Sequence, residues 1–246
     1  MKIKQITNYL EEIAPLAFQE SYDNSGLIVG DEDANVKSAL VTIDCTEAVL
    51  DEAIEKNSNL IITHHPIIFS GIKKLSGKSY IERIIIKAIK NDIAIYAIHT
   101  NLDNVAHGVS AKIAEKLSLK NCKVLAPKKG FLRKLTVYCP NLDMHNLRNT
   151  LFQAGAGNIA NYDECSFTSI GEGTFRANQG CNPYLGEIGK RQVEKEEKLE
   201  VIFTKHQQES ILSAMYSAHP YEEVAYQIHV LENSHQNVGS GIIGDL

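Results

Sequence analysis

The sequence NLIITHHPIIF, at residues 59–69, combines a short apolar run with an abrupt change to two histidines. The run NLIIT (59–63) is branched and nearly continuous, which is typical of a strand that is buried on both faces of a sheet. The runs SALVTI (38–43) and DIAIYAI (92–98) have the same character. We therefore predict three buried strands that belong to one sheet.

Helical patterns separate these strands. The segment TEAVLDEAIEKN (46–57) begins with a threonine that suits a helix N-cap, and SYIERIIIKAIKN (79–91) places its apolar residues on one stripe. The N-terminal MKIKQITNYLEEIAP (1–15) also has apolar residues at helical spacing. Because strands alternate with helices, right-handed crossovers and a largely parallel α/β sheet are expected. Residues 1–127 are predicted to form this domain.

The pattern changes after residue 127. Strands and helices then follow in the order βαβ and again βαβ, which predicts an inserted ferredoxin-like (βαββαβ) domain over residues 131–233. Within it, residues 171–192 are rich in Gly, Asn and Pro and are expected to form a loop or a hairpin. Residues 234–246 are predicted to return toward the first domain. The expected fold class is therefore α/β with a ferredoxin-like insert.

The composition is that of an ordinary globular protein. The 246 residues are 43% hydrophobic and 22% charged, which disfavours disordered and low-complexity classes. The five cysteines are scattered and odd in number, so a disulfide framework or a thiolate zinc site is not expected. A net charge of −5 disfavours nucleic-acid binding. No apolar run is long enough to span a bilayer and the N-terminal helix is unlike a signal peptide, so a cytoplasmic location is expected.

Polar residues follow two of the predicted strands, at the point where each strand ends. His64 and His65 come directly after one strand, and His99 and Asp103 follow the next strand along the chain. Open parallel sheets bind ligands beyond the carboxyl ends of their strands, so these side chains should meet in one crevice. Imidazole and carboxylate groups suit Zn, Fe, Mn or Ni. The alternative is that they are loop histidines satisfied by backbone hydrogen bonds.

Other polar residues have simpler interpretations beside the functional one. Asp23, in the segment YDNSG, fits an Asx turn as well as a pocket role. Asp44 could line the same crevice as the histidines, whereas Thr46 is more simply a helix cap. Glu222 and Glu223 resemble an acid/base cluster, but their place between a helix and a strand favours a solvated turn.

Six segments together resemble the NIF3-like family, whose members are also described as GTP cyclohydrolase 1 type 2 homologues. The resemblance spans essentially the whole chain, and the combination of segments is highly specific. They are SYDNSGLIVG (21–30), VTIDCTEAVLDEAI (41–54), NLIITHHPIIF (59–69), YAIHTNLDN (96–104), NPYLGEIG (182–189) and HPYEEVAYQIHVLEN (219–233).

The resemblance implies an α/β domain that carries a dinuclear divalent-metal centre, with a ferredoxin-like, PII-like insert. It places metal ligands on His64, His65 and Asp103, with His99 close by. It also implies a further His and a Glu from a segment beyond the insert, which this sequence is expected to lack. The chain is therefore expected to hold metal weakly or to be found empty. The family further implies a ring-like homo-oligomer such as a hexamer.

Two functions from different classes follow. The first is a metal-dependent hydrolase that acts on a small-molecule substrate, a nucleotide or phosphoester. The family description implies opening of the guanine ring of GTP. No catalytic residue is assigned from the sequence. The alternative is a non-catalytic metal-binding protein with a regulatory or interaction role. Turnover that is lost in a His64→Ala variant separates the two.

Overall fold

The chain forms two units, each with its own sheet and apolar core. A computed structural model describes all residues from Met1 to Leu246. The first unit comprises Met1–Pro127 together with Asn237–Leu246, and the second comprises Lys128–Gln236. The longest helix has 13 residues, and no helix is long and apolar enough to cross a membrane.

The first unit is built on a four-stranded mixed sheet. Its strands are β1 (Gly26–Val29), β2 (Ala39–Thr42), β3 (Leu60–Thr63) and β4 (Ala94–Ala97), in the order β1-β4-β3-β2. Strands β2, β3 and β4 are parallel, and β1 runs antiparallel to β4. All four residues of β4 are buried, as its continuous apolar sequence requires. The predicted mixed α/β fold with a largely parallel sheet is confirmed.

Helices of the first unit begin where the sequence supplies capping residues. Thr46 Oγ1 accepts a hydrogen bond from the Val49 N–H, and Ser79 Oγ accepts one from the Glu82 N–H. Apolar residues of the third helix are buried against the sheet in the core of this unit. The five helices are α1 (Ile3–Ile13), α2 (Glu47–Glu55), α3 (Tyr80–Lys90), α4 (Thr100–Asp103) and α5 (Val109–Lys116).

A second, two-stranded sheet in the first unit pairs β5 (Lys120–Lys128) with β10 (His235–Asp245). The apolar, glycine-rich C-terminal segment therefore forms a strand. Strand β5 was not predicted, because its lysines and Pro127 are more typical of a turn.

The second unit has a four-stranded antiparallel sheet and two longer helices. Strands follow the order β7-β8-β6-β9, and every pairing is antiparallel. The predicted loop or hairpin at residues 171–192 is a hairpin, because β7 and β8 remain paired as far as Arg176 and Arg191. The elements are β6 (Leu132–Pro140), α6 (Asn141–Gln153), β7 (Ser166–Arg176), β8 (Arg191–Thr204), α7 (Gln208–Ala218) and β9 (Tyr226–Val230).

Alternation along β6 and β8 separates the two faces of this sheet. Odd-numbered apolar residues such as Val137 and Leu199 are fully buried and share a core with the helical residues Leu147 and Met215. The helices therefore cover one face. The even-numbered residues point to the other face, among them Tyr138, Glu196, Lys198 and Glu200.

His219 fixes the turn that leads from α7 to β9. Its Nε2–H donates to the Tyr138 carbonyl oxygen at 2.8 Å, and its Nδ1 accepts from the Tyr221 N–H at 3.1 Å. Both ring nitrogens are thus used by the neutral ring. Burial lowers the pKa of His219 below its ordinary value of 6.5, although nearby carboxylates oppose the shift.

We expect His219 to make the protein sensitive to mild acid. Because its pKa is lower in the folded than in the unfolded state, its contribution is fully present above pH 6.5 and declines as the pH falls below that value. Thermal unfolding of wild type and His219→Gln at about pH 7.5 and about pH 5.5 tests this. The variant should lose less stability on acidification than wild type, and equal losses would contradict the assignment.

Candidate metal centre

The three histidines of the candidate centre extend adjacent parallel strands. His64 and His65 directly follow β3, and His99 lies two residues after β4. Thr63 at the end of β3 is in register with Ala97 at the end of β4, so the two strands end at the same level. The expected convergence of side chains at the carboxyl edge of the sheet follows from this register.

The imidazole rings of His64, His65 and His99 form a compact triangle. Their ring centroids are 5.0, 5.2 and 5.4 Å apart, and one nitrogen from each ring lies within 4.8 Å of the other two. Asp103, at the end of α4, places Oδ1 at 3.8 Å from His64 Nε2. The structure thus groups the three histidines, with the Asp103 carboxylate beside one of them.

Each ring of this triangle is oriented by an oxygen at Nδ1. His64 Nδ1 lies 2.9 Å from the Ile98 carbonyl oxygen, His65 Nδ1 is 2.8 Å from an Asp44 carboxylate oxygen, and His99 Nδ1 is 2.8 Å from Asp23 Oδ1. Carbonyl and carboxylate oxygens only accept hydrogen bonds, so Nδ1 carries the proton in all three rings. Nε2 is then left as the lone-pair donor, which is the arrangement found around metal-bound histidines.

Asp23 is the most constrained of these supporting residues. Its side chain is fully shielded from solvent, and it accepts hydrogen bonds from His99, from the hydroxyl and N–H of Thr100, and from Asn24 and Ser25. Burial alone would raise the pKa of this carboxyl. The hydrogen bonds outweigh burial and hold the pKa at about 2, so Asp23 is an ionised carboxylate.

A cavity of about 470 Å³ adjoins the cluster in the first unit and shares Asp44 and His65 with it. Its wall also contains Phe69, whose ring centroid lies 5.8 Å from that of His99. No lysine or arginine lines this cavity. A ligand here would therefore meet apolar and acidic groups of this chain, together with any cation held by the histidines.

The donor set suits one divalent ion. Three imidazoles and a nearby carboxylate are ligands that Zn²⁺ and similar ions accept. Two ligand atoms of one tetrahedral ion are about 3.4 Å apart. The 3.8 Å between Asp103 and His64 is therefore close to ligand spacing. The candidate nitrogens of the three histidines lie within 4.8 Å of one another, so the side chains would have to move closer together to share one ion.

Fold and site together define an α/β protein with a histidine cluster suited to metal binding. The family model Duf34/NIF3 (NGG1p interacting factor 3) matches residues 1–246, and the chain belongs to this family. The family predicted from the sequence segments is thereby confirmed.

Named relatives and solved structures agree with this membership. The chain is 41% identical to a GTP cyclohydrolase 1 type 2 homolog of Bacillus subtilis over 99% of the chain, and 40% identical to that of Halalkalibacterium halodurans over 98%. It resembles the crystal structure of a Bacillus cereus protein related to NIF3, with a TM-score of 0.84, 39% identity and coverage of 99% of this chain and 65% of that one. The chain spans 65% of the length of both curated relatives.

Two supporting residues were only partly anticipated. Asp44 was one of the residues that could line the crevice, and in the structure its carboxylate lies 2.8 Å from His65 Nδ1. Asp23 had two equally good interpretations, and the structure gives it the role of anchoring His99. The signal in the sequence was a short polar segment, YDNSG, immediately before a strand.

We expect Asp23→Asn to destabilise the first unit even without metal. The Asn NH2 group would face the N–H and O–H groups that now donate to Asp23, so hydrogen bonds would be lost. A buried polar group left without a partner lowers the free energy of unfolding by about 1–3 kcal/mol. Urea unfolding in the presence of EDTA should therefore show a loss in this range. Asp44→Asn is the matched control, because that side chain is 63% exposed and has one histidine partner; losses of equal size in the two variants would contradict the assignment.

Proposed function

We propose that this chain is a metal-binding protein that holds a divalent ion, of the Zn, Fe, Mn or Ni type, at His64, His65 and His99 with Asp103 as a further ligand. The observation that carries the proposal is the shared orientation of the three rings. Each Nδ1 faces an oxygen acceptor, which leaves Nε2 of each ring as the candidate ligand atom, and the three rings lie close together.

The proposed activity is metal-dependent hydrolysis of a nucleotide or phosphoester. Curated relatives named GTP cyclohydrolase 1 type 2 homolog support this class. A bound divalent ion lowers the pKa of a coordinated water and stabilises developing negative charge on the substrate. The residues of this chain hold the ion and shape the adjoining cavity. Since that cavity has no lysine or arginine, recognition of phosphate would depend on the ion itself.

A dinuclear centre is part of the proposal but needs further donors. Catalytic sites usually supply at least three protein ligands to an ion, so the four residues suffice for about one ion. A second ion would require ligands beyond His64, His65, His99 and Asp103. The alternative function is a non-catalytic metal-binding protein with a regulatory or interaction role.

We further propose that residues 131–233 form a ferredoxin-like domain inserted in the first unit, which residues 234–246 rejoin. The element order β6-α6-β7-β8-α7-β9 and the strand order β7-β8-β6-β9 support this proposal. A cytoplasmic, ring-like homo-oligomer is proposed as well. Exposed apolar residues on edge strands support self-association, since Val41 near the end of β2 is 76% exposed and Ile170 on β7 is 77% exposed.

Isothermal titration with Zn²⁺ and with Mn²⁺ tests metal binding. We expect about one equivalent per chain, with affinity reduced at least about tenfold in His99→Ala. His145→Ala is the matched control, because His145 is exposed on α6, outside the cluster. Two tight equivalents would show that the 246 residues complete a dinuclear centre and would contradict the expected weak binding, and equal affinity of wild type and His99→Ala would contradict the proposed site.

Hydrolysis of GTP and of bis(p-nitrophenyl) phosphate by the metal-loaded chain tests the proposed activity. We expect turnover that His64→Ala abolishes, because this substitution removes one of the three imidazole donors. Metal binding without turnover on either substrate would favour the non-catalytic alternative.

A further inference from the structure

A cavity of about 660 Å³ lies within the second unit, away from every residue of the histidine cluster. It is bordered by β7, β8, the loop at residues 177–190 and the turn at residues 219–225. These last two segments contain NPYLGEIG and HPYEEV, which the metal centre does not use. The volume is in the usual range for a small-molecule site.

Four aromatic residues, Tyr138, Phe175, Tyr184 and Tyr221, line this cavity, and the last three form a group of neighbouring rings. The Tyr221 ring centroid lies 5.8 Å from that of Phe175 and 6.2 Å from that of Tyr184. The rings are inclined to each other by 59° and 54°, so they do not stack face to face. Tyr221 and Phe175 are half-buried and Tyr184 is exposed. The cavity therefore offers aromatic surface, which attracts cations through the negative face of each ring.

The turn that carries Tyr221 is held in place from two sides. His219 bonds to the Tyr138 carbonyl oxygen and to the Tyr221 N–H, as described above. Glu222 Oε1 accepts from the Asn182 N–H at 2.9 Å, which ties the turn to the loop at residues 177–190. The aromatic wall is therefore preorganised by hydrogen bonds of its own segments.

Glu196 brings a carboxylate to the same wall. Its Oε1 accepts from the Tyr221 hydroxyl at 2.9 Å, and it makes no ion pair, whereas its neighbour Lys198 lies 3.5 Å from Glu200. A side chain at Gly173 would collide with Glu196 Oε2, so the carboxylate occupies the space that this glycine leaves. The cavity thus contains a half-buried carboxylate that hydrogen-bonds to Tyr221 and is not in an ion pair, although Arg176 and Lys198 also line the cavity.

The charges around the cavity favour a positive ligand. Carboxylates outnumber cations among its charged lining residues, which are Glu172, Glu196, Glu222, Glu223, Arg176 and Lys198. A metal ion is disfavoured, because the one group of His, Cys, Asp and Glu side chains with metal-ligand spacing is His64, His65 and His99. Aromatic faces beside a carboxylate instead suit an organic cation.

We propose that this cavity binds an organic cation, an ammonium group attached to an apolar or aromatic body. The ammonium lies between the Tyr221 ring and the Glu196 carboxylate, and the body lies against Phe175 and Tyr184. This proposal is independent of the metal centre, since the two sites share no residue.

Calorimetric titration of the 246-residue chain with phenylethylammonium, in EDTA to exclude metal effects, tests the proposal. We expect saturable binding at one site. The matched probes 2-phenylethanol and phenylacetate have the same ring without the positive charge, and they should bind at least about tenfold more weakly. No saturation with phenylethylammonium, or equal binding of phenylacetate, would overturn the proposal.

Glu196→Gln should weaken phenylethylammonium binding at least about tenfold, because a charged partner is lost. Glu194→Gln is the control: it makes the same change on the same strand, also half-buried, but outside the cavity lining. Equal affinity of the two variants would contradict the role of Glu196. Amide NMR of the wild-type chain gives a readout that needs no variant, and the Gly171, Gly173 and Tyr221 signals should shift on addition of the probe; unchanged signals there would overturn the site.

Discussion

The parallel register of β2, β3 and β4 is the constraint on which the histidine cluster depends. Backbone pairing continues past the strand ends, because the His65 N–H donates to the Ile43 carbonyl and the Ile98 N–H donates to the Thr63 carbonyl. The His64 ring links the residues that follow β3 and β4, because its Nδ1–H donates to the Ile98 carbonyl oxygen. A shift of one residue in either strand would turn the histidines to the opposite face, so the ladder itself fixes the geometry of the site.

Buried strands that end in histidine were predictable from the sequence, and so was their convergence. Continuous apolar runs such as β3 and β4 leave few alternatives to a buried parallel strand, and the end of each run locates the site. The contribution of Asp23 was not predictable to the same degree. It lies 76 residues before His99 in the sequence, and its local context fits an ordinary turn. Long-range side-chain pairing of this kind leaves no periodic trace in a sequence.

Glycines explain why the β7–β8 hairpin was only one of two possibilities from sequence. Gly171 and Gly173 interrupt the strand pattern, although the ladder continues through both residues to Arg176. In the fold, the Glu196 carboxylate lies over Gly173, where a side chain would force that carboxylate to move. Gly173 therefore marks a place where two neighbouring strands' residues approach closely. The residue that lies there, Glu196, also lines the cavity in the second unit.

Hydrogen bonds at the ring nitrogens separate His219 from the three histidines of the proposed metal site. His219 uses both nitrogens, one as donor to a carbonyl and one as acceptor from an N–H, so no lone pair remains. His64, His65 and His99 each have an oxygen acceptor at Nδ1, and each keeps the Nε2 lone pair. An imidazole with one satisfied and one open nitrogen is poised for a metal ion, whereas a doubly bonded imidazole supports the fold. The same residue type thus occurs in two hydrogen-bonding environments in this chain, and only the one with an open Nε2 is compatible with the proposed metal site.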